Sequence, residues 1–98
     1  MSKNVIEICL SDVESAIQAV RGGATSLELC SNRTEGGITP SIGFVEECVH
    51  LFKENGIEIN VLIRPRPGDF CYTNNEFSII ERDIKAISRA GATGFNYE

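Results

Sequence analysis

Glu7 and Cys9 stand two residues apart in VIEICL (5–10), and Glu28 and Cys30 repeat that spacing in SLELC (26–30). Side chains two apart on an extended strand share a face. Each segment therefore offers a carboxylate and a thiol together. If the strands are neighbours, about 5 Å apart, the two thiols could clamp one ion, and thiolate sulfur suits Cu(I) above hard cations. The competing reading is that both cysteines are small buried hydrophobes. Glu7 and Glu28 are the candidate acid/base groups, since a buried carboxylate must find a partner or neutralise. Arg64, in IEINVLIRP (57–65), is the expected partner of Glu28.

A second chemistry lies in RPRPGDF (64–70). Arg64, Arg66 and Asp69 are candidate binders of a phosphate or carboxylate, because a guanidinium grips such groups with two parallel bonds. Arg33 and Gly36–Gly37, just before a helix start at Thr39, add backbone donors suited to an anion. The other thiols carry less. Cys48 falls on a helix core face and Cys71 in a loop, and neither role follows from spacing. His50 is expected at a helix surface. Without a CxxC pair, a structural zinc site is not expected.

Strand-like runs at 5–10, 26–30, 57–65 and 93–97 alternate with segments of helical period. Val13, Ala16, Ile17 and Val20 make one stripe; Ile42, Val45, Cys48, Val49 and Phe52 a second; Phe77, Ile80, Ile84 and Ile87 a third. Expected caps are Ser11 with Glu14, Thr39 before Pro40, and Asn74 or Asn75. Gly23, Gly56 and Gly91 close the helices, and GGATSLEL and AGATGFNY are one junction used twice.

Strict alternation predicts right-handed βαβ crossovers and a parallel sheet. No G-x-G-x-x-G follows the first strand, which disfavours a dinucleotide fold. The expected fold class is α/β: a partial TIM (β/α)8 barrel of about three and a half βα units, residues 1–98 forming a single incomplete domain. Ile6, Ile8, Leu10, Leu27, Leu29, Ile59, Val61, Ile63, Phe95 and Tyr97 would meet the helices. Glu7, Cys9, Glu28, Cys30, Asn60, Arg64 and Asn96 would face the lumen.

The 98-residue length bounds this to one domain at most. A net charge of −5 argues against nucleic acid as a partner. No run is long enough to span a membrane, and the N-terminus lacks a signal-peptide build, so a cytoplasmic setting with free thiols is expected.

EIC, GGATSLELC, EGGITPSIG and VLIRPRPGDFCY, in that order across residues 5–94, resemble the N-terminal half of the CutC copper-homeostasis family. The resemblance implies a (β/α)8-like barrel, cytosolic and often dimeric, linked to copper handling. It also implies Cu(I) binding at the Cys9 and Cys30 positions, and it assigns no reaction. Thr25–Ser26 stands where Asp–Arg is common in that family, Pro67 where glycine is common, and FNYE where an apolar strand continues. The resulting expectation is a copper-homeostasis protein that binds Cu(I). The alternatives are a barrel enzyme or sensor for a small anionic metabolite, and a truncated isoform without activity of its own. An open lumen face and two free sheet edges also predict homo-oligomers.

Overall fold

The computed structural model describes residues 5–97. Four strands alternate with three helices: β1 (Glu7–Leu10), α1 (Val13–Arg21), β2 (Ser26–Leu29), α2 (Ile42–Phe52), β3 (Glu58–Ile63), α3 (Asn74–Ala90) and β4 (Gly94–Tyr97). Single 3-10 turns at Arg33–Glu35 and Lys53–Asn55 flank α2. The sheet order is β1-β2-β3-β4, every pair parallel, as the right-handed crossover rule requires of sequential βα units.

The helices cover one face of the sheet. Leu10, Leu27, Leu29, Ile59, Val61 and Ile63 pack there with Ala16, Val45, Cys48, Phe52, Ile80 and Ile87. Each fully buried aliphatic side chain contributes roughly 1.5–3 kcal/mol. The patterns read from sequence therefore hold, with four departures at the margin. Ile6 and Ile8 are 46% and 39% exposed, because β1 is an edge strand flanked by a neighbour on one side alone. Phe77 and Ile42 leave their stripes for solvent, and Phe77 meets Tyr72 edge-on instead, with ring centroids 5.9 Å apart. The Tyr97 side chain lies outside the described set.

The caps also differ from expectation. Asp12, not Ser11, caps α1 by accepting from the Ser15 amide. Ser41, not Thr39, caps α2 by accepting from the Phe44 amide. Thr73 caps α3 in a reciprocal box with Glu76, in place of Asn74 or Asn75. In each case the cap is the oxygen-bearing residue directly before the first helical residue: Ser11 and Thr39 stand too far upstream, while Asn74 and Asn75 already lie inside α3.

The twice-used junction is a device. Gly23 and Gly91 take φ of +104° and +103°, which lets the chain reverse out of a helix. Two residues later Thr25 Oγ1 accepts from the Ile6 amide, and Thr93 Oγ1 from the Ile59 amide, both at 3.0 Å. Each hydroxyl thus stitches the base of one strand to the start of its neighbour. Thr93→Ala is expected to lower stability by about 1 kcal/mol, and Thr93→Ser to restore most of it, read from urea denaturation midpoints.

Candidate functional site

The uncovered face of the sheet carries the polar set in two layers. In the lower one Glu7 Oε2 accepts from Ser26 Oγ at 2.7 Å and from Asn60 Nδ2 at 2.9 Å, while Asn60 Nδ2 also reaches Ser26 Oγ at 3.1 Å. In the upper one Asn96 Nδ2 donates to Glu28. Side-chain amides and a hydroxyl thus satisfy both carboxylates. These amides were assigned to the lumen from sequence, but their pairing with Glu7 and Glu28 was not foreseen. Strand registers could have suggested it, since Glu28 sits opposite Asn60, and Asn60 opposite Gly94, two residues before Asn96.

Above these layers, at the C-terminal strand ends, Cys9 Sγ and Cys30 Sγ lie 3.5 Å apart. Cys30 is buried and its thiol also points to the Leu10 carbonyl at 3.7 Å. Cys9 is exposed. The Cys9 thiol is pushed up to about 12, first by loss of hydration, then by its bond and charge interaction with Cys30, then by Glu28. Both sulfurs line a cavity of about 110 Å³ with Glu28, Arg33, Gly36, Gly37 and Leu62. That volume admits an ion or a few waters, well short of the several hundred Å³ of a typical metabolite site.

One wall of the cavity depends on glycine. A Cβ at Gly37 would sit 2.8 Å from Leu62 Cδ2 and 3.6 Å from Cys30 Cβ, on a residue with φ of +89°. Gly37→Ala is expected to cost about 1–3 kcal/mol, seen as a lowered denaturation midpoint.

The expected Glu28–Arg64 pair is absent. Arg64 lies just past the end of β3, so its side chain runs over the rim rather than down the lumen. It is 6% exposed. Its Nη1 donates to the Glu35 and Gly37 carbonyls, each at 3.1 Å, and its Nη2 to the Gly68 carbonyl at 2.8 Å. Its guanidinium stands 5.1 Å from the Phe70 ring centroid. Arg64 therefore ties the loop after β2 to the loop after β3.

Arg66 is engaged as well. It donates to Glu76, to Asp69 Oδ1 at 3.3 Å, and to the Asp69 and Cys71 carbonyls at 2.7 and 3.1 Å. Its bond to Glu76 holds that carboxyl below the usual range. An anion at Arg64, Arg66 and Asp69 would have to displace these partners, whereas Arg33 faces the cavity. Cys71 is exposed in the same loop, Cys48 is on the buried face of α2, and His50 is exposed. Among the described residues no three His, Cys, Asp or Glu side chains converge as a ligand set for a metal. No helix among those residues is long and apolar enough to cross a membrane.

Parallel βα units with a thiol pair at the strand ends define part of a TIM-barrel protein. The chain belongs to the CutC family, whose signature matches residues 4–97. It is 44% identical over 90 residues to a Caenorhabditis elegans protein named copper homeostasis protein cutC homolog, spanning 92% of this chain and 35% of that one. A human protein of the same name is 42% identical, with 92% and 32% covered. A CutC family protein of Agrobacterium fabrum is 43% identical, with 92% and 34% covered. The crystal structure of a putative copper homeostasis protein CutC from Streptococcus agalactiae superposes with a TM-score of 0.86 at 32% identity, covering 93% of this chain and 43% of that one. The chain thus spans about a third of the length of the curated relatives it matches.

Proposed function

We propose that this chain takes part in copper homeostasis by binding Cu(I) between Cys9 and Cys30. The observation that carries the reading is the 3.5 Å approach of the two sulfurs at the mouth of the lumen. Two metal–sulfur bonds of roughly 2.3 Å span that separation in a bent arrangement, and a modest swing of the exposed Cys9 side chain straightens it. Soft sulfur donors and low coordination number favour Cu(I) over the hard divalent ions. The names of the relatives point the same way, since two are called copper homeostasis proteins.

The lumen residues would have separate tasks. Cys9 and Cys30 supply the ligands; Glu28, hydrogen-bonded to Asn96, takes up the proton that the metal displaces from the Cys9 sulfur and passes it to water; Leu62 and Gly37 line the site. The setting required is a reducing one, such as the cytoplasm, where neither thiol is lost to disulfide formation. Anaerobic Cu(I) competition against a chromophoric chelator tests the proposal. The parent should take up one equivalent, and the Cys9→Ser/Cys30→Ser double variant should bind at least about 100-fold more weakly. Equal affinity in the two would remove the reading.

A further inference from the structure

Cys9 and Cys30 do not stand opposite one another. The residue facing Cys9 across the β1–β2 ladder is Glu28, so Cys30 lies one step diagonally up the neighbouring strand. Two residues of rise, about 6.6 Å, and one interstrand step, about 4.8 Å, place the two Cα atoms about 8 Å apart. A disulfide needs Cα atoms within about 4.4–6.8 Å, and beyond about 7 Å the backbone has to move. The sulfurs approach to 3.5 Å only because each side chain reaches along the lumen face towards the other. The backbone at Cys30 is fastened against further approach. Its amide donates to the Leu10 carbonyl at 3.1 Å, and the next residue, Ser31, exchanges two bonds with Ile38 at 2.9 and 2.8 Å. Gly37 closes in from its own loop, where a Cβ would meet Cys30 Cβ at 3.6 Å.

We propose that this register keeps Cys9 and Cys30 a dithiol: the folded chain admits an atom inserted between the sulfurs and resists a direct bond between them. Bonds of roughly 2.3 Å to an inserted ion leave the sulfurs near or beyond their present separation, whereas a disulfide draws them to about 2.05 Å. Closure with glutathione disulfide as the oxidant would break both S–H bonds and join the two protein sulfurs. The S–S bond of the oxidant breaks in turn, and its halves leave as two thiols carrying the two protons. That exchange balances for any pair of thiols. Here the strain it would impose on Cys30 and its fastened neighbours opposes it.

What a reducing setting guards against is then the pairing of the exposed Cys9 with thiols of other molecules. The tightly held Cys9 proton does not account for an open pair. It slows attack on a disulfide, but at equilibrium a thiol is favoured over its disulfide by ionising, which Cys9 does not do at neutral pH. Equilibrium therefore reads geometry.

The test uses the metal-free chain, so its outcome is independent of the copper reading. The chain is equilibrated with glutathione and glutathione disulfide in the absence of air, quenched in acid and alkylated. Peptide mass mapping then counts the Cys9–Cys30 linkage. In the folded chain that linkage should form at least tenfold less than in the same chain unfolded in urea, where no register holds the thiols apart. Moving the second thiol opposite the first, Glu28→Cys with Cys30→Ser, should raise closure in the folded state at least tenfold over the parent. Circular dichroism checks that this variant folds, and if it does not, the urea comparison decides. Equal closure in the folded and unfolded parent overturns the proposal. So does a Glu28→Cys/Cys30→Ser variant that folds and stays as open as the parent, since register would then not be what separates the thiols.

Discussion

Arg64→Ala is expected to lower stability by about 3 kcal/mol, a large share of what a domain of this size possesses. The side chain is almost wholly buried and donates to three carbonyls on two loops. Truncation leaves those acceptors without a donor in a place water reaches poorly, and each such loss costs roughly 1–3 kcal/mol before relaxation. The stack on Phe70 is lost as well. Arg64→Lys should recover less than half, because an ammonium cannot span carbonyls on separate loops as a planar guanidinium does. Urea denaturation with an unchanged slope is the measurement. A loss under about 1 kcal/mol would mean that the rim is held by the Thr39–Arg64 backbone bonds alone.

The second large effect is on pH. Binding Cu(I) requires both thiols to lose their protons, and Cys9 holds its proton to about 12. At the proposed site, apparent affinity should therefore rise by about tenfold per pH unit for the Cys9 proton released, across the neutral range. Competition titrations at several pH values check the slope. A flat profile would show that Cys9 gives up no proton when the metal binds.

Folding responds to the same group in the opposite direction. Cys9 is raised from its ordinary 9.0 to about 12 in the folded chain, so the unfolded chain gives up the proton first as pH climbs. The contribution is whole below about pH 9 and drains away towards pH 12. Cys48, raised to about 11 by burial and then by Glu47, adds a loss of the same sign over a narrower window. Cys9→Ser should flatten the alkaline limb of the stability curve, measured by denaturant midpoints between neutral and strongly basic pH.

Much of this was readable because parallel strands have period two and their helices period near 3.6. Leu27, Leu29, Ile59, Val61 and Ile63 could face only the helices once Glu28 and Asn60 were placed opposite. The thiol pair followed from the same alternation. Individual partners did not follow. Glu28 and Arg64 carry opposite charges on adjacent strands, yet Arg64 begins one residue beyond β3 and bends over the rim, a matter of strand length that composition does not reveal. Likewise Thr39, an expected helix cap, instead exchanges bonds with the Arg64 backbone, because the cap duty fell to Ser41 two residues on. Edge effects were equally hidden: Ile8 has the sequence context of a core residue and lacks only a neighbour.

Thr25 and Thr93 fasten strand bases at the pole of the barrel opposite the cysteines. Fastening and the thiol pair thus occupy separate ends of the same strands. The upper loops are free to vary their chemistry without loosening the clasp below, and the clasp can be tightened without touching the sulfurs. A unit built this way is suited to being copied, since each added strand and helix brings its own fastening and leaves its own strand end open for different chemistry.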